Sequence, residues 1–262
     1  MIRSSTCRFI LSGLVLLFAV AETKGDWTVT NRERHAGKSD AVTRHALQLE
    51  ERETGETAQL QLAVFDSTRT TLRVLDQPSE PRISLAEMMR NSGCLAGVNG
   101  GYFDPEYAAV GLLISDGRVV QAKQKARLLS GVVSVLQGRF QIQRAAAFSP
   151  KGKPSAARQC GPFLVEGGRA VAGLNNSRGA RRTFILVGEK GRAAIGYASS
   201  VTLAELGTLL ATPGLTPDLK VQNALNLDGG SSSGFWFAGA DGAFSIREQK
   251  TVRDYLGIVA KP

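Results

Sequence analysis

The chain has 262 residues, of which 43% are hydrophobic and 21% charged, and it carries a formal net charge of +9. This length and composition predict a globular protein with a sizeable core and exclude a disordered or fibrous chain. The basic charge suits contact with anionic polymers, lipid headgroups or phosphorylated glycans, or it serves solubility alone. Nucleic acid is not an expected partner, because aromatic residues make up only 6% of the chain and no base-stacking motif is present.

Residues 1–21 have the layout of a cleavable secretory signal peptide. Arg3 and Arg8 precede an apolar run over residues 9–21 that ends in Ala-Val-Ala, as a signal peptide and its cleavage site do. The run is too short to span a bilayer comfortably. We therefore expect cleavage after Ala21 and export to the periplasm or the medium, with an uncleaved membrane anchor as the weaker alternative.

Residues 22–57 are polar and charged, and they predict a flexible lead-in that could supply a first strand. Residues 58–262 predict one α+β domain, in which many short strands and hairpins form β-rich mixed sheets with at least two helices packed on them. The predicted strands are rich in Val, Ile, Leu and Phe and are separated by Gly or Asp-Gly turns: AQLQLAVFD, TTLRVLDQ, CLAGVN, AVGLLIS, GRVVQ, GVVSVLQ, GRFQIQRA, GPFLVEGG, RTFILVG and RAAIGYA.

Two helices stand out, because each begins with a capping box of Ser or Thr three residues before Glu. The first is ISLAEMMRNSG, with Ser84 and Glu87, and the second is VTLAELGTLLAT, with Thr202 and Glu205. Each precedes an apolar strand that ends in a glycine-rich motif, LAGVNGG after the first and ALNLDGG after the second. We therefore expect the two motifs to lie at like ends of neighbouring strands.

Cysteine and histidine are scarce, which narrows the chemistry. After signal cleavage only Cys94 and Cys160 remain, and in an oxidising compartment they predict a disulfide bond, with two buried free thiols as the alternative. The only histidines, His35 and His45, lie far in sequence from the glycine-rich motifs. A histidine-based nucleophile system or zinc site would need one of them, so we assign acid–base chemistry to carboxylates.

The stretch GVNGGYFDP, residues 97–105, is the first candidate site. Asn-Gly-Gly is a strong hairpin signal, and on that interpretation the aromatic residues belong to the core. As a binding motif, it would offer the amide of Asn99, the carboxylate of Asp104 and, at Gly100 and Gly101, a backbone that a ligand can approach closely. The motif alone leaves both interpretations open.

The stretch NALNLDGGSSSGFW, residues 223–236, is more specific. A plain Asp-Gly turn needs one glycine, whereas here Asp228 is followed by two glycines, three serines and a further glycine. Such a loop presents successive N–H and hydroxyl groups that suit an anion. Asp228, at the end of an apolar strand, would be partly desolvated, as a catalytic carboxylate or metal ligand needs to be. A small-residue loop with a capping aspartate is the alternative.

Two arginines flank apolar strands, Arg182 in RRTFILVG and Arg253 in VRDYLGIV. Arginines at strand edges are usually solvated, but either one pointing inward would form a bidentate phosphate clamp. Glu166, in CGPFLVEGG, is expected in an exposed hairpin turn rather than in a site.

The order of these pieces resembles the phosphodiester glycosidase family. GVNGGYF, CGPFLV, the Arg182-Thr183 pair, LNLDGGSSSGFW and a closing strand with an arginine follow one another over roughly residues 58–260. The chain is similar to the short exported bacterial branch, and NLDGG is the most specific element. The closing strand reads VRDYLGI here, whereas family members often carry Arg-Pro-Val.

The resemblance implies an enzyme that hydrolyses the bond between a sugar's anomeric carbon and a phosphodiester, in a small or polymeric glycosyl phosphodiester. It implies that Asp228 is the principal catalytic carboxylate, that Asn99 and Arg182 position substrate and neutralise phosphate, and that Asp104 is a second carboxylate or metal ligand. The implied substrate-binding residues are Gly100, Gly101, Tyr102, Gly229, Gly230, Ser231, Ser232 and Arg253.

The need for a cofactor is unknown at this stage. No ligand spacing demands a metal ion, although Asp228 and Asp104 with a backbone carbonyl would suit calcium or magnesium. Two other classes stay open: a metal-dependent phosphodiesterase that attacks phosphorus, and a non-catalytic envelope glycan-binding protein in which Asp228 only caps a loop.

Overall fold

The computed structural model describes residues 27–215 and 219–261, so the predicted signal peptide lies outside the described residues. The described strands are β1 (Trp27–Ala36), β2 (Val42–Glu51), β3 (Thr57–Asp66), β4 (Thr70–Asp76), β5 (Ala96–Asn99), β6 (Leu113–Ser115), β7 (Arg118–Gln121), β8 (Gly131–Leu136), β9 (Arg139–Arg144), β10 (Ala156–Cys160), β11 (Phe163–Glu166), β12 (Arg169–Ala170), β13 (Ala180–Gly188), β14 (Arg192–Val201), β15 (Val221–Asn226), β16 (Phe235–Gly239), β17 (Gly242–Ile246) and β18 (Asp254–Ala260). The helices are α1 (Leu85–Asn91) and α2 (Leu203–Ala211), with 3-10 turns at Pro150–Gly152 and Gly230–Ser232.

The strands form three sheets. Sheet 1 has the order β1-β2-β3-β14-β13-β15-β11-β12, sheet 2 the order β7-β6-β10-β8-β9, and sheet 3 the order β17-β16-β5-β18-β4. Every pairing between these described strands is antiparallel. The predicted β-rich α+β domain with two helices is confirmed, and its sheets are antiparallel where mixed sheets were expected.

The main core lies where the three sheets face one another, with Phe65 from sheet 1, Val133 from sheet 2 and Ile258 from sheet 3 among its buried residues. A second core lies between the other face of sheet 1 and α2. Strand β13 is buried on both faces, because Ile185 points into the main core and Phe184 into the second. This explains why its sequence is a continuous apolar run rather than an alternating one.

Both predicted helices are confirmed. The Oγ1 of Thr202 accepts the N–H of Glu205 at 3.2 Å, and the carboxylate of Glu205 accepts the N–H of Thr202 at 2.7 Å, a complete capping box. At α1 only half of the predicted capping box forms: the Oγ of Ser84 accepts the N–H of Glu87 at 3.3 Å, without the return bond to the Glu87 carboxylate. Helix α1 packs on sheet 3 through Leu85. No helix in the described part of the chain has the length and apolar character needed to cross a membrane.

Most of the expected polar lead-in is regular structure. Residues 27–36 and 42–51 form the paired strands β1 and β2 at one edge of sheet 1. Leu47 and Leu49 of β2 reach the second core, whereas β1 is largely exposed. An edge strand that is exposed to solvent on both faces has no alternation of apolar and polar residues, so its sequence predicted a flexible segment.

Candidate active site

Asp228 is the first polar residue after β15, and backbone contacts from two other strands fix its position. Its N–H donates to the carbonyl of Gly100 at 3.1 Å. Its carbonyl accepts hydrogen bonds from Nδ2 of Asn99 at 2.8 Å and from Oγ1 of Thr183 at 2.7 Å. The two glycine-rich motifs therefore meet, although β5 and β15 belong to different sheets rather than being neighbours in one.

Asn99 acts within the protein. Its side chain is fully buried at the end of β5, with Nδ2 on the carbonyl of Asp228 and Oδ1 accepting the N–H of Gly234 at 3.2 Å. The amide thus ties together both ends of the loop that carries Asp228. We interpret Asn99, predicted as a catalytic residue, as a positioning residue.

The carboxyl group of Asp228 is partly buried, and burial raises its pKa above the usual range for aspartate. The hydroxyl of Ser232, the ammonium of Lys250 and the N–H of Gly229, which donates to Oδ1 at 2.9 Å, each act to lower the pKa, and the negative charge of Asp254 raises it further. The Oγ of Ser232 makes no hydrogen bond of regular geometry to a described residue, so we treat it as a close neighbour of the carboxylate rather than an established donor.

Arg182 lies beside this loop on β13. Its Nε donates to the carbonyl of Val201 at 3.2 Å and its Nη2 to the carbonyl of Arg178 at 2.8 Å. Its Nη1 lies 3.7 Å from the point where a side chain at Gly229 would begin. Carbonyls at the end of β14 and just before β13 therefore hold two nitrogens of the guanidinium, and the third lies toward the Asp228 loop.

Tyr102 closes another side of the site. Its hydroxyl donates to the carbonyl of Gly161 at 2.6 Å, which also accepts Nδ2 of Asn226 at 3.0 Å. Burial is the main cause that raises the pKa of Tyr102, and the nearby carboxylate of Asp228 raises it further. The phenol is thus a neutral group at physiological pH, and its proton is already used within the protein.

The loop after Asp228 is only partly open to a ligand. Gly229 and Gly230 are partly buried, Ser231 is exposed, and Ser232 is fully buried. Gly230 has a φ of 63°, a conformation that favours glycine. Of the four residues predicted to cradle phosphate, the first three are at least partly exposed, and the N–H of Gly229 already donates to Asp228.

Lys250 is a site residue that the sequence analysis missed. Its N–H and that of Gln249 donate to the carbonyl of Ser231 at 3.2 and 2.8 Å, which docks the segment before β18 onto the Asp228 loop. Its Nζ lies 4.8 Å from the centre of the Phe103 ring. A lone lysine in a polar connection carries no sequence signal, so only the fold identifies it.

A buried ion pair explains the glycines of the first motif. Arg158 and Asp254 are both fully buried and form a salt bridge of 3.0 Å, and Nη2 of Arg158 also donates to the carbonyl of Tyr102 at 2.7 Å. A Cβ at Gly100 would overlap Oδ1 of Asp254, and one at Gly101 would lie 2.5 Å from Cζ of Arg158. These glycines, predicted to admit substrate, make room for this pair instead.

Asp104 and Arg253 serve local structure. Oδ1 of Asp104 accepts the N–H of Ala108 at 2.7 Å and closes a tight loop. Nε of Arg253 donates to the carboxylate of Asp76 at 2.7 Å, and its Nη1 donates to the carbonyl of Tyr107 at 2.7 Å. Both predicted site residues are therefore occupied with protein partners, and the neighbour Asp254 is directed at Arg158 and the N–H of Gly101.

The predicted disulfide bond is not formed. Cys94 lies in the cluster under α1, Cys160 lies in the main core on β10, and both are free, buried thiols. Burial raises the pKa of Cys94 to about 11 and that of Cys160 to about 12. The alternative of two unreactive thiols is the correct one, because each cysteine packs as a small apolar residue.

Residues 27–215 and 219–261 contain no group of three or more His, Cys, Asp or Glu side chains arranged to hold a metal ion. Asp228 and Asp104, the oxygen ligands suggested by the sequence, do not belong to such a group.

Comparison with known proteins places this site in a family. The phosphodiester glycosidase family model matches residues 92–259, a span that includes Asn99, Arg158, Arg182, Asp228 and Asp254. No curated protein sequence matches the chain.

Two of the solved structures that resemble the chain illustrate the shared fold. The zebrafish N-acetylglucosamine-1-phosphodiester alpha-N-acetylglucosaminidase catalytic domain, auto-inhibited by its pro-peptide, aligns with a TM-score of 0.64 at 16% identity and covers 88% of each chain. A hypothetical protein from Synechocystis aligns with a TM-score of 0.56 at 14% identity, over 85% of this chain and 63% of the other. At such identities the structures establish the fold, and the family model, which covers more than half of the sequence, establishes that the chain belongs to the phosphodiester glycosidase family.

Proposed function

We propose that the protein is an exported hydrolase that cleaves the bond between the anomeric carbon of a sugar and the oxygen of a phosphodiester. The observation that carries the proposal is the carboxylate of Asp228, which is partly buried, has a raised pKa and lies beside the cations Arg182 and Lys250. Family membership supports the reaction class, and the amino-terminal signal pattern supports export.

The reaction makes different demands from ordinary glycoside cleavage. Most glycosidases need one carboxylic acid to protonate a poor leaving group and a second carboxylate as nucleophile or base. A phosphate ester leaves readily with the bonding electron pair, so one carboxylate and a cationic cradle suffice. The site meets this requirement with Asp228 as its one available carboxylate, because Asp254 is paired with Arg158 and Asp104 is hydrogen-bonded within its own loop.

Asp228 has two compatible roles. As a general base, it would take a proton from water while the water oxygen attacks the anomeric carbon, which inverts the configuration. As a nucleophile, it would form a glycosyl ester that water then hydrolyses, which retains the configuration. In both cases Arg182 and Lys250 would neutralise the departing phosphate, and NMR of the first anomer released distinguishes the two.

The test is hydrolysis of a panel of sugar 1-phosphodiesters by the wild type and by Asp228→Asn, each with and without chelator. Asp241→Asn is a matched control, because Asp241 is also followed by glycine and lies in the β16–β17 turn. We expect free sugar from the wild type and the control, and a loss of about a thousandfold or more for Asp228→Asn.

Other products would point to the other classes. Release of glycosyl phosphate, abolished by chelator, would establish a phosphodiesterase. Absence of turnover on every diester, with Asp228→Asn still folded and binding glycans like the wild type, would make the protein a binder.

A further inference from the structure

The charge of the chain is distributed very unevenly. Residues 117–165 contain nine Lys and Arg residues and no Asp or Glu, whereas the whole chain has 32 cations against 23 anions. This segment supplies β7, β8, β9 and β10 and the connections between them, which make up most of sheet 2. One sheet of the three is therefore strongly basic.

Three of the nine cations are used within the protein. Arg158 is paired with Asp254, Arg144 with Glu166, and Nζ of Lys123 donates to two carbonyls. The other six have exposed positions and make no side-chain hydrogen bond or ion pair with a described residue. We call these six the basic face: Arg118, Lys125, Arg127, Arg139, Lys151 and Lys153.

Contacts between two connections bring much of this face together. Nζ of Lys123 donates to the carbonyls of Ala145 and Phe148 at 3.0 and 2.9 Å, which joins the β7–β8 connection to the β9–β10 connection. The first connection carries Lys125 and Arg127, and the second carries Lys151 and Lys153. The second connection also packs Phe148 into a small apolar cluster on sheet 2.

The basic face extends toward the candidate active site. The carbonyl of Leu128, next to Arg127, abuts Gly161 so closely that no side chain fits there. The carbonyl of Gly161 in turn accepts the hydroxyl of Tyr102 at the site. An extended ligand that lies along the β7–β8 connection would therefore reach the candidate active site.

We propose that the basic face is a docking surface for a polyanionic substrate, a chain of repeating phosphodiester groups whose glycosyl phosphodiester enters the Asp228 site. This inference rests on the proposed function and narrows its substrate from any diester to a polymer. Spaced cations match a repeating negative charge. A membrane surface fits less well. Within residues 117–165, all of them described, Val119 and Leu128 are the only large exposed apolar side chains, and two such side chains would insert only weakly into a bilayer.

The first experiment measures binding without turnover. Two full-length proteins are titrated with fluorescently labelled poly(glycerol phosphate). The first carries only Asp228→Asn, and the second carries in addition Lys125→Gln, Arg127→Gln, Lys151→Gln and Lys153→Gln. The matched control instead combines Arg34→Gln, Lys38→Gln, Arg90→Gln and Lys190→Gln, which removes the same charge from exposed positions elsewhere. We expect the first set to weaken binding by about tenfold or more and to flatten its dependence on salt, and the control set to change binding by less than about threefold.

The second experiment measures turnover with the Asp228 carboxylate restored. The basic-face variant should raise KM for a polymeric substrate and leave kcat/KM for a small sugar 1-phosphodiester within about twofold. If the wild type hydrolyses no diester but the binding difference persists, the proposed function fails and the docking surface stands. Equal losses in both variant sets, or basic-face-dependent binding to anionic phospholipid vesicles without binding to the polymer, would overturn the inference.

Discussion

The buried pair of Arg158 and Asp254 gives a prediction about stability that can be worked from its contacts. Both side chains are fully buried, and Asp254 accepts hydrogen bonds from Nε of Arg158 at 3.0 Å, from its Nη2 at 3.0 Å and from the N–H of Gly101 at 3.3 Å. Asp254→Ala removes these acceptors and leaves a guanidinium charge out of reach of water. Breaking a buried pair from one side costs about 3–5 kcal/mol, and the loss of three hydrogen bonds to the carboxylate argues for the upper part of that range.

Urea unfolding followed by tryptophan fluorescence measures this loss as a decrease in the free energy of unfolding. Asp40→Ala is the control, because Asp40 pairs with Arg69 at the surface, where an ion pair contributes little. Replacing both buried partners, Arg158→Met with Asp254→Leu, should recover part of the loss because no unpaired charge remains. Equal stability of Asp254→Ala and Asp40→Ala would refute this account of the pair.

Three further predictions concern the glycines, the carboxylate and the thiols. Gly101→Ala should destabilise the protein far more than Gly179→Ala in the same unfolding assay, because a Cβ would meet Arg158 at 2.5 Å in the first case and only the flexible hydroxyl of Ser200 at 3.4 Å in the second; equal effects would contradict the proposed close packing. The pKa of Asp228 is raised by burial, so the free energy of unfolding decreases as the pH rises from the unfolded pKa through the folded pKa of this group. Asp228→Asn should therefore have a higher Tm than the wild type at pH 7 and lose this advantage near pH 3. A lower Tm of the variant at pH 7 would contradict the expected direction of the effect. Cys94 and Cys160 should resist alkylation in the native protein and both react after unfolding without reductant, as peptide mass spectrometry would show; a linked peptide would restore the predicted disulfide.

Turns and helices were predictable from short sequence signals, because their causes are local. Asp116-Gly117 forms the two-residue hairpin turn between β6 and β7, as the dipeptide predicts. Between β16 and β17 the turn residues are Ala240 and Asp241, and Gly242 is the first residue of β17. The capping residues Ser84 and Thr202 start both helices. The pair at Asp228-Gly229 does not form such a turn, and its additional glycines and serines were the signal that set it apart.

The contacts that hold the site together could not be predicted from the sequence, because they join residues far apart in the chain. Arg158 and Asp254 are 96 positions apart, and Asn99 and Asp228 are 129 apart. Two neighbouring charged residues, Arg253 and Asp254, also pose a choice that sequence does not resolve. Successive side chains near a strand point to opposite faces, so Arg253 meets the partly buried Asp76 whereas the next residue, Asp254, meets the fully buried Arg158.

The position of Asp254 on β18 has a consequence for the order in which the site can form. Gly101, which Asp254 fixes, lies 153 residues earlier, and β18 also pairs with β4 and β5. Closing so long a loop is entropically costly and is favoured only once other contacts exist. Asp228, the carboxylate proposed to be catalytic, bonds Gly100, which in turn bonds Asp254, so its surroundings are complete only after β18 has entered sheet 3. A chain whose β18 is not yet free to pair would lack the arrangement of the candidate site.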